Sequence, residues 1–451
     1  MVSRLFSHII VSSLAGNSLN RRDLLVTPSI LLSSNHVLLS QDSKQQNLQQ
    51  DDEWKVTLPL ERFFGGTNCI RVSLNGQPQQ SANNRIMRPK RIYKLIVDTG
   101  SPYLTIPFDK GNGKDDKNGY YYSTIYEEVE PFIDESVNTK DYDLVGFKSL
   151  LRLLQNTLSP FTTSDLDLEQ IPFVLQPSVY EPTEDVYGTK LGVIEWKCSP
   201  ITFRSNRMNT AGMDSAILGV LDETLTSESG GPLFGLVKRS NPNSEKVQLR
   251  PTILDQIRIQ SLKNGSTETR EVTSFQIDSP NKLLTILAEE NQSLIPVNAH
   301  NAIELVDLRP LGDFVDHYAF IVNSLSLNNN EYVFTPSSLI NQKNAKPRSI
   351  VAVFDTGLTG CLLTQSLWDA LITHGVKDPS TIRGLEITNS KSNNSIRADQ
   401  SNPLFYVSSI ELDWFDDPET APFVVVLGQT FLTQGTLTVD LCRNLATFDV
   451  P

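Results

Sequence analysis

Two aspartates carry the chemistry that this sequence is able to do. Asp98 lies within residues 95–107, LIVDTGSPYLTIP, and Asp355 within residues 351–364, VAVFDTGLTGCLLT. In each stretch an apolar, strand-like run stops at Asp-Thr-Gly and a second apolar run follows. A carboxylate is thereby set at the tip of a tight loop fed by a buried strand. Two such loops, one per half of the chain, are what a paired-carboxylate site needs: one carboxyl ionised to take a proton from water, the other protonated to give one. A single Asp-Thr-Gly reads as a strand-ending turn, because Asp and Gly both favour turns. At average residue usage it arises by chance in roughly one in ten chains of this length. Two copies, each preceded by three apolar residues and followed by another apolar strand, point to a site.

Other hydrolytic chemistries have little support. A nucleophilic serine of the Gly-X-Ser-X-Gly kind does not occur. A cysteine nucleophile needs a histidine partner, and His8, His36, His300, His317 and His374 sit in no such setting; they read as surface or satisfied core residues. The four cysteines, Cys69, Cys198, Cys361 and Cys442, lack the close pairing of a zinc site and are too few for a disulfide scaffold.

Both aspartate loops resemble the active-site loops of pepsin-like aspartic proteases, in which each lobe supplies one Asp-Thr-Gly. The resemblance runs from about Phe63 to Pro451. In that family an apolar-apolar-Gly segment crosses behind each loop, and residues 214–219 (DSAILG) and 425–432 (VVLGQTFL) are similar to it. The family's flap, a hairpin with a Tyr-Gly tip, is similar to Val186-Tyr187-Gly188-Thr189.

The resemblance implies an all-β, bilobal fold: two β-barrel-like lobes with a cleft between them, acting as an endopeptidase on extended polypeptides at acid pH. It implies that Asp98 and Asp355 activate a water held between them, with no metal and no cofactor. Thr99 and Thr356 would bond across to the opposite loop, and Gly100 and Gly357 would permit tight turns close to substrate. Ser101 would hold the outer oxygen of Asp98. Tyr187, with Gly188 and Thr189 beside it, would close over the bound peptide. The chain departs from the pattern at Leu358, where the family has a Ser or Thr that bonds the second aspartate, and at Thr105, where a Trp often steadies the flap tyrosine. Losing that bond should raise the Asp355 pKa relative to the family. The rival is a catalytically weak or inactive relative of the same fold that binds or inhibits; such relatives typically lose an aspartate, and this chain keeps both.

The bulk properties agree with a globular protein of 451 residues, long enough for two or more domains. A net charge of −13 argues against nucleic acid as a partner. No run approaches the apolar length of a membrane-spanning helix, and a monomer is expected. Residues 1–60 read as a leader or pro-segment, 61–292 as an N-terminal lobe holding the Asp98 loop, an insertion over 109–185 and the flap, and 293–451 as a C-terminal lobe holding the Asp355 loop. Residues 5–15, LFSHIIVSSLA, form a short signal-like core, while the Arg- and Ser-rich, acid-poor leader is equally compatible with an organelle transit segment. By family resemblance the secretory or vacuolar-type route is the expectation, and sequons at Asn264, Asn291 and Asn393 fit glycosylation there. On the same resemblance Cys69 and Cys198 fall in one lobe and Cys361 and Cys442 in the other, leaving a pair within each lobe and four buried free thiols both open.

The positioning elements can be read in order. Residues 69–74 form a strand running into the turn signal Asn75-Gly76, followed by a polar loop over 77–91. Residues 41–50 are Gln-rich and unstructured by composition, and 147–158 have helical apolar spacing within the insertion. A returning strand is expected at 191–198 and a helix at 251–262, PTILDQIRIQSL, with Pro at its start. Two strands follow within 274–287, then an alternating strand over 318–327 that turns at 328–330, a short helix at 363–371, and a closing pair of strands within 436–450 that would lie beneath both lobes.

Overall fold

The computed structural model describes residues 54–62, 66–77, 79–80, 86–107, 126–131, 174–187, 190–203, 210–222, 224–225, 232–238, 250–263, 266–289, 292–313, 315–339, 348–390, 395–411, 415, 417 and 420–451. Residues 1–53 of the expected leader, the Gln-rich segment, the helix at 147–158, most of the insertion and the three sequon asparagines lie outside the described residues, whereas the end of that expected leader, Lys55–Pro59, is a strand with Val56 and Leu58 buried.

The described chain is built on strands, as an all-β protein, with short helices between them. One antiparallel sheet has six strands in the order Lys55–Pro59, Leu283–Leu287, Ser274–Asp278, Thr436–Asp440, Leu445–Asp449, Ile303–Glu304. It draws on both halves of the chain, and it contains the strand pairs expected within 274–287 and 436–450. Its tight turns are closed by Lys282 and Asn444 at φ 57 and 52, left-handed values that Asn tolerates better than most residues.

A 13-stranded sheet is assembled from residues 61–271, and an 8-stranded sheet from residues 319–427. The strand feeding Asp355, Ile350–Phe354, is buried at every residue. It pairs in parallel with Phe423–Leu427 on one side and antiparallel with Ala319–Leu327 on the other, so neither face meets water and IVAVF need not alternate. Ile86–Asp98 is placed alike, between Asn68–Asn75 and Leu233–Gly235. It takes in residues 86–91, so the loop after Asn75-Gly76 is shorter than the polar composition of 77–91 suggests. Ala319–Leu327 ends in a turn with Asn328, Asn329 and Asn330 all at positive φ, 51, 59 and 69.

Two helices differ from expectation. Residues 251–262 hold a single helical turn, Ile253–Gln256, capped by Thr252 and Asp255 side chains in a reciprocal box, and then a strand, Arg258–Lys263. After the cap the sequence Ile257-Arg258-Ile259-Gln260 alternates, and its β-branched residues are buried at every second position; the two-residue period prevails over the helical one. In the second half Cys361–Thr364 is a strand, and the helix runs Gln365–Thr373.

All four cysteines are free thiols: Cys69 and Cys361 are buried, Cys198 is half-buried and Cys442 is exposed. Burial pushes the Cys69 thiol up to about 12 and the Cys361 thiol higher still. Among the described residues no helix is long and apolar enough to cross a membrane.

Candidate active site

Each aspartate ends a buried strand and begins a two-residue turn. Leu95, Ile96 and Val97 precede Asp98, and Leu104–Ile106 resumes the sheet; Val353 and Phe354 precede Asp355, and Cys361–Thr364 resumes it. The Gly100 amide donates to Asp98 Oδ1 at 2.8 Å, and the Gly357 and Leu358 amides donate to Asp355 Oδ1 at 2.9 and 3.2 Å. Each carboxyl is thus oriented by its own turn.

The two turns are locked to one another. Thr99 Oγ1 donates to the Phe354 carbonyl at 2.8 Å and accepts from the Thr356 amide at 3.0 Å. Thr356 Oγ1 donates to the Val97 carbonyl at 2.7 Å and accepts from the Thr99 amide at 3.0 Å. All of these groups are buried, and each threonine satisfies one backbone donor and one acceptor of the opposite loop. A hydroxyl is needed at both positions because only it can do both.

This lock brings Asp98 and Asp355 into hydrogen-bond contact, although 257 residues separate the two threonines beside them. Both carboxyls are 1% exposed. A β-carbon on Gly357 would stand 2.6 Å from the Asp98 Cγ, so the second loop can approach the first carboxyl only with glycine there. Burial pushes both carboxyls up; Asp355 rises well above the carboxylate range because the charge of Asp98 and the hydrogen bond to it add to the burial. The Gly100 amide and the shared hydrogen bond work the other way on Asp98. Asp355 Oδ2 is buried and accepts from no donor. Two facing carboxylates offer acceptors only, so a single proton placed on Asp355 converts the contact into a donor–acceptor pair.

The segments that cross behind the loops pair in parallel with the aspartate-bearing strands. In the second half this is Phe423–Leu427, followed by Gly428, as the sequence suggests. In the first half it is Leu233–Gly235, and not residues 214–219, which correct to part of the strand Thr210–Leu221 alongside Leu104–Ile106. A β-carbon on Gly235 would lie 2.3 Å from the Ser101 carbonyl oxygen, and one on Gly428 2.3 Å from the Gly360 carbonyl oxygen. Ile217-Leu218-Gly219 and Leu233-Phe234-Gly235 carry the same apolar-apolar-Gly pattern, so the pattern alone does not choose between them.

Several other expectations need adjusting. Ser101 is not among the donors to Asp98 in the described residues; the turn amide and the opposite carboxyl occupy that carboxylate instead. Leu358 still contributes its amide to Asp355, and what its side chain withholds is a donor for Oδ2. Thr183–Tyr187 pairs antiparallel with Lys190–Ile194, which places Tyr187 last before a hairpin tip; Gly188 and Thr189 lie outside the described residues.

Some supporting residues gave no local signal. Trp196 is buried, stands edge-on to Tyr103 at 5.0 Å and donates from its indole to Thr183 Oγ1 at 3.0 Å. The Arg250 guanidinium lies 4.3 Å from its ring. The indole therefore ties the base of the hairpin to the segment after Asp98, beside Thr105, whose methyl also faces Gly219. The Tyr318 hydroxyl donates to the Leu236 carbonyl, its own carbonyl accepts from the Phe354 amide, and Leu236 donates to the Asp98 carbonyl. Next to it His317 Nδ1 meets Asp313 Oδ2 at 2.8 Å, both buried, and a charge on His317 favours ionised Asp98. Each of these contacts joins positions remote in sequence or pairs side chains with no motif.

Among the described residues no group of three or more His, Cys, Asp or Glu side chains is placed to hold a metal ion. No protein-family model matches the sequence, and no curated protein matches it.

Proposed function

We propose that this chain is an aspartic endopeptidase of the pepsin-like, bilobal kind, with Asp98 and Asp355 as its catalytic residues. The observation that carries the reading is the buried, hydrogen-bonded carboxyl pair at the tips of two loops that the Thr99 and Thr356 hydroxyls cross-link. One sheet associated with each aspartate, and a third shared by both halves, support the two-lobed arrangement.

The chemistry follows from the shared proton. Two carboxyls in contact resist double ionisation, so the pair passes through a singly protonated state over an interval of pH; this is a general property of paired catalytic aspartates and not peculiar to this chain. In that state the ionised carboxyl, Asp98 on the electrostatics above, takes a proton from a water held between the two. Asp355 donates its proton to the carbonyl oxygen of the peptide. The water oxygen attacks the carbonyl carbon, and the tetrahedral intermediate collapses as the C–N bond breaks and the amine leaves protonated. The rate should fall as pH rises past the upper apparent pKa of the pair, where its last proton leaves, and fall again in stronger acid, where both carboxyls are protonated; by resemblance to the pepsin-like family the optimum lies at acid pH. By the same resemblance the substrate is an extended polypeptide, bound by strand-like hydrogen bonds.

A peptide analogue whose scissile carbonyl is replaced by a hydroxyl-bearing tetrahedral carbon tests this reading. A catalyst binds such a mimic at least about 100-fold more tightly than the parent peptide, and Asp98→Asn should abolish the preference. Equal affinity for mimic and parent, unchanged by the substitution, would instead identify a peptide-binding protein.

A further inference from the structure

Among the described residues the second aspartate loop leaves two buried polar groups with unused capacity: Asp355 Oδ2 accepts from no donor, and the Tyr406 hydroxyl donates to no acceptor. One is an acceptor and the other can donate. Tyr406 is fixed against this loop twice. Its carbonyl accepts from the Cys361 amide at 2.9 Å, and its ring lies so close to Gly360 that a β-carbon there would be 2.4 Å from the ring carbons. The next residues, Val407–Ile410, run parallel to Cys361–Thr364 and hold the tyrosine at the loop's edge. Gln429 Oε1 and Thr430 Oγ1, on the segment crossing the same loop, are also buried and unpaired. A cluster of unpaired buried polar atoms is the setting in which a buried water is held. Leu358, meanwhile, brings no side-chain donor to Asp355.

We propose that Tyr406 is a positioning residue for the aspartate pair: its hydroxyl donates to the Oδ2 side of Asp355 across one buried water, and does the work for which Leu358 has no hydroxyl. This deepens the protease reading and rests on it for its catalytic meaning.

Electrostatics agree. Burial pushes the Tyr406 phenol up to about 12, and charges on Cys361 and Asp355 add to this, so the hydroxyl stays a donor throughout the working range. A hydrogen bond from the Gly360 amide to the phenol oxygen works the other way, and it leaves the phenol's own O–H free to donate. The charged and titratable groups that bear on the pair are Asp98 against Asp355, His317 behind Asp98 with Asp313 beyond it, and Cys361 and Tyr406.

Tyr406→Phe keeps the ring on Gly360 and removes only the hydroxyl. A donor to a carboxylate favours its ionised form, so its loss raises the pKa of Asp355. We expect the basic limb of kcat/KM against pH to move upward by about one unit in the variant, the size of one hydrogen bond to a charged group. Carboxyl titration by 13C NMR on aspartate-labelled protein should shift by the same amount, whether or not the protein cleaves peptides. Leu358→Ser supplies a donor to Asp355, and in that background Tyr406→Phe should shift the titration by less than about a third as much. A carboxyl titration unmoved by Tyr406→Phe overturns the proposal, as does an equal shift in both backgrounds. A shifted carboxyl titration in a protein without peptidase activity would uphold Tyr406 as the donor and refute the protease reading alone.

Discussion

Replacing Thr99 by Val removes one hydroxyl and changes little else in shape. In the structure that hydroxyl donates to the Phe354 carbonyl at 2.8 Å and accepts from the Thr356 amide at 3.0 Å, with both partners buried. The methyl group of Val leaves both partners without a bond and without access to water. A buried polar group stripped of its partner costs about 1–3 kcal/mol, so two of them should cost about 2–6 kcal/mol in all. Thr356→Val strips the Val97 carbonyl and the Thr99 amide in the same way, at 2.7 and 3.0 Å, and should cost the same amount. The double variant should fall short of the sum, because all four bonds serve one joint between the loops. Equilibrium urea unfolding of the wild type, both single variants and the double variant gives each value. A loss below about 0.5 kcal/mol for either single variant, or strict additivity in the double variant, would refute the cross-linked arrangement. Activity should fall further than stability, since carboxyls freed by even a small loop shift no longer share a proton.

Further outcomes follow from the same geometry. Asp355→Asn should stabilise the protein at pH 7 while abolishing catalysis. The folded pKa is raised, chiefly by burial, so wild-type stability is greatest where Asp355 is protonated and declines as pH rises above the unfolded value of about 3.9, by about 1.4 kcal/mol per unit of raised pKa; thermal melts between pH 3 and 7 should show the advantage of the variant vanishing at the acid end. Gly235→Ala and Gly428→Ala each drive a methyl group to 2.3 Å from a backbone oxygen and should destabilise by about 3 kcal/mol or prevent folding, whereas Gly375→Ala, with φ +100 and open space, should cost only about 1 kcal/mol; chemical denaturation compares all three. A thiol reagent should label Cys442 at once in the native protein and reach Cys69 and Cys361 only on unfolding, and mass spectrometry should find no disulfide.

The sequence reveals the dyad because its signal is local and repeated: apolar strand, Asp-Thr-Gly, apolar strand, twice. The strand pairs within 274–287 and 436–450 are legible for a similar reason, since short apolar runs bounded by turn residues leave few alternatives. Residues 251–262 mislead because Pro251 and the Thr252 cap announce a helix that Ile257 and Ile259 end after one turn. The crossing segment of the first half is ambiguous because two stretches share one pattern, and only pairing with the Asp98 strand selects Leu233–Gly235. Trp196, Tyr318 and Tyr406 matter through partners as distant as Tyr103, Leu236 and Gly360, and a single sequence carries no record of such contacts. Ser101 shows the opposite failure, in which a residue fits a motif without making the bond that the motif implies.

The most direct measurement is the rate at which the wild-type chain cuts an unfolded polypeptide between about pH 3 and 6, the interval set by carboxyl pKa values, with Asp98→Asn and Asp355→Asn measured beside it. Internal cleavage should peak within this interval and be lost in both variants while their folds persist. Cleavage that survives either substitution, or a well-folded wild type that cuts nothing at any of these pH values, would contradict it.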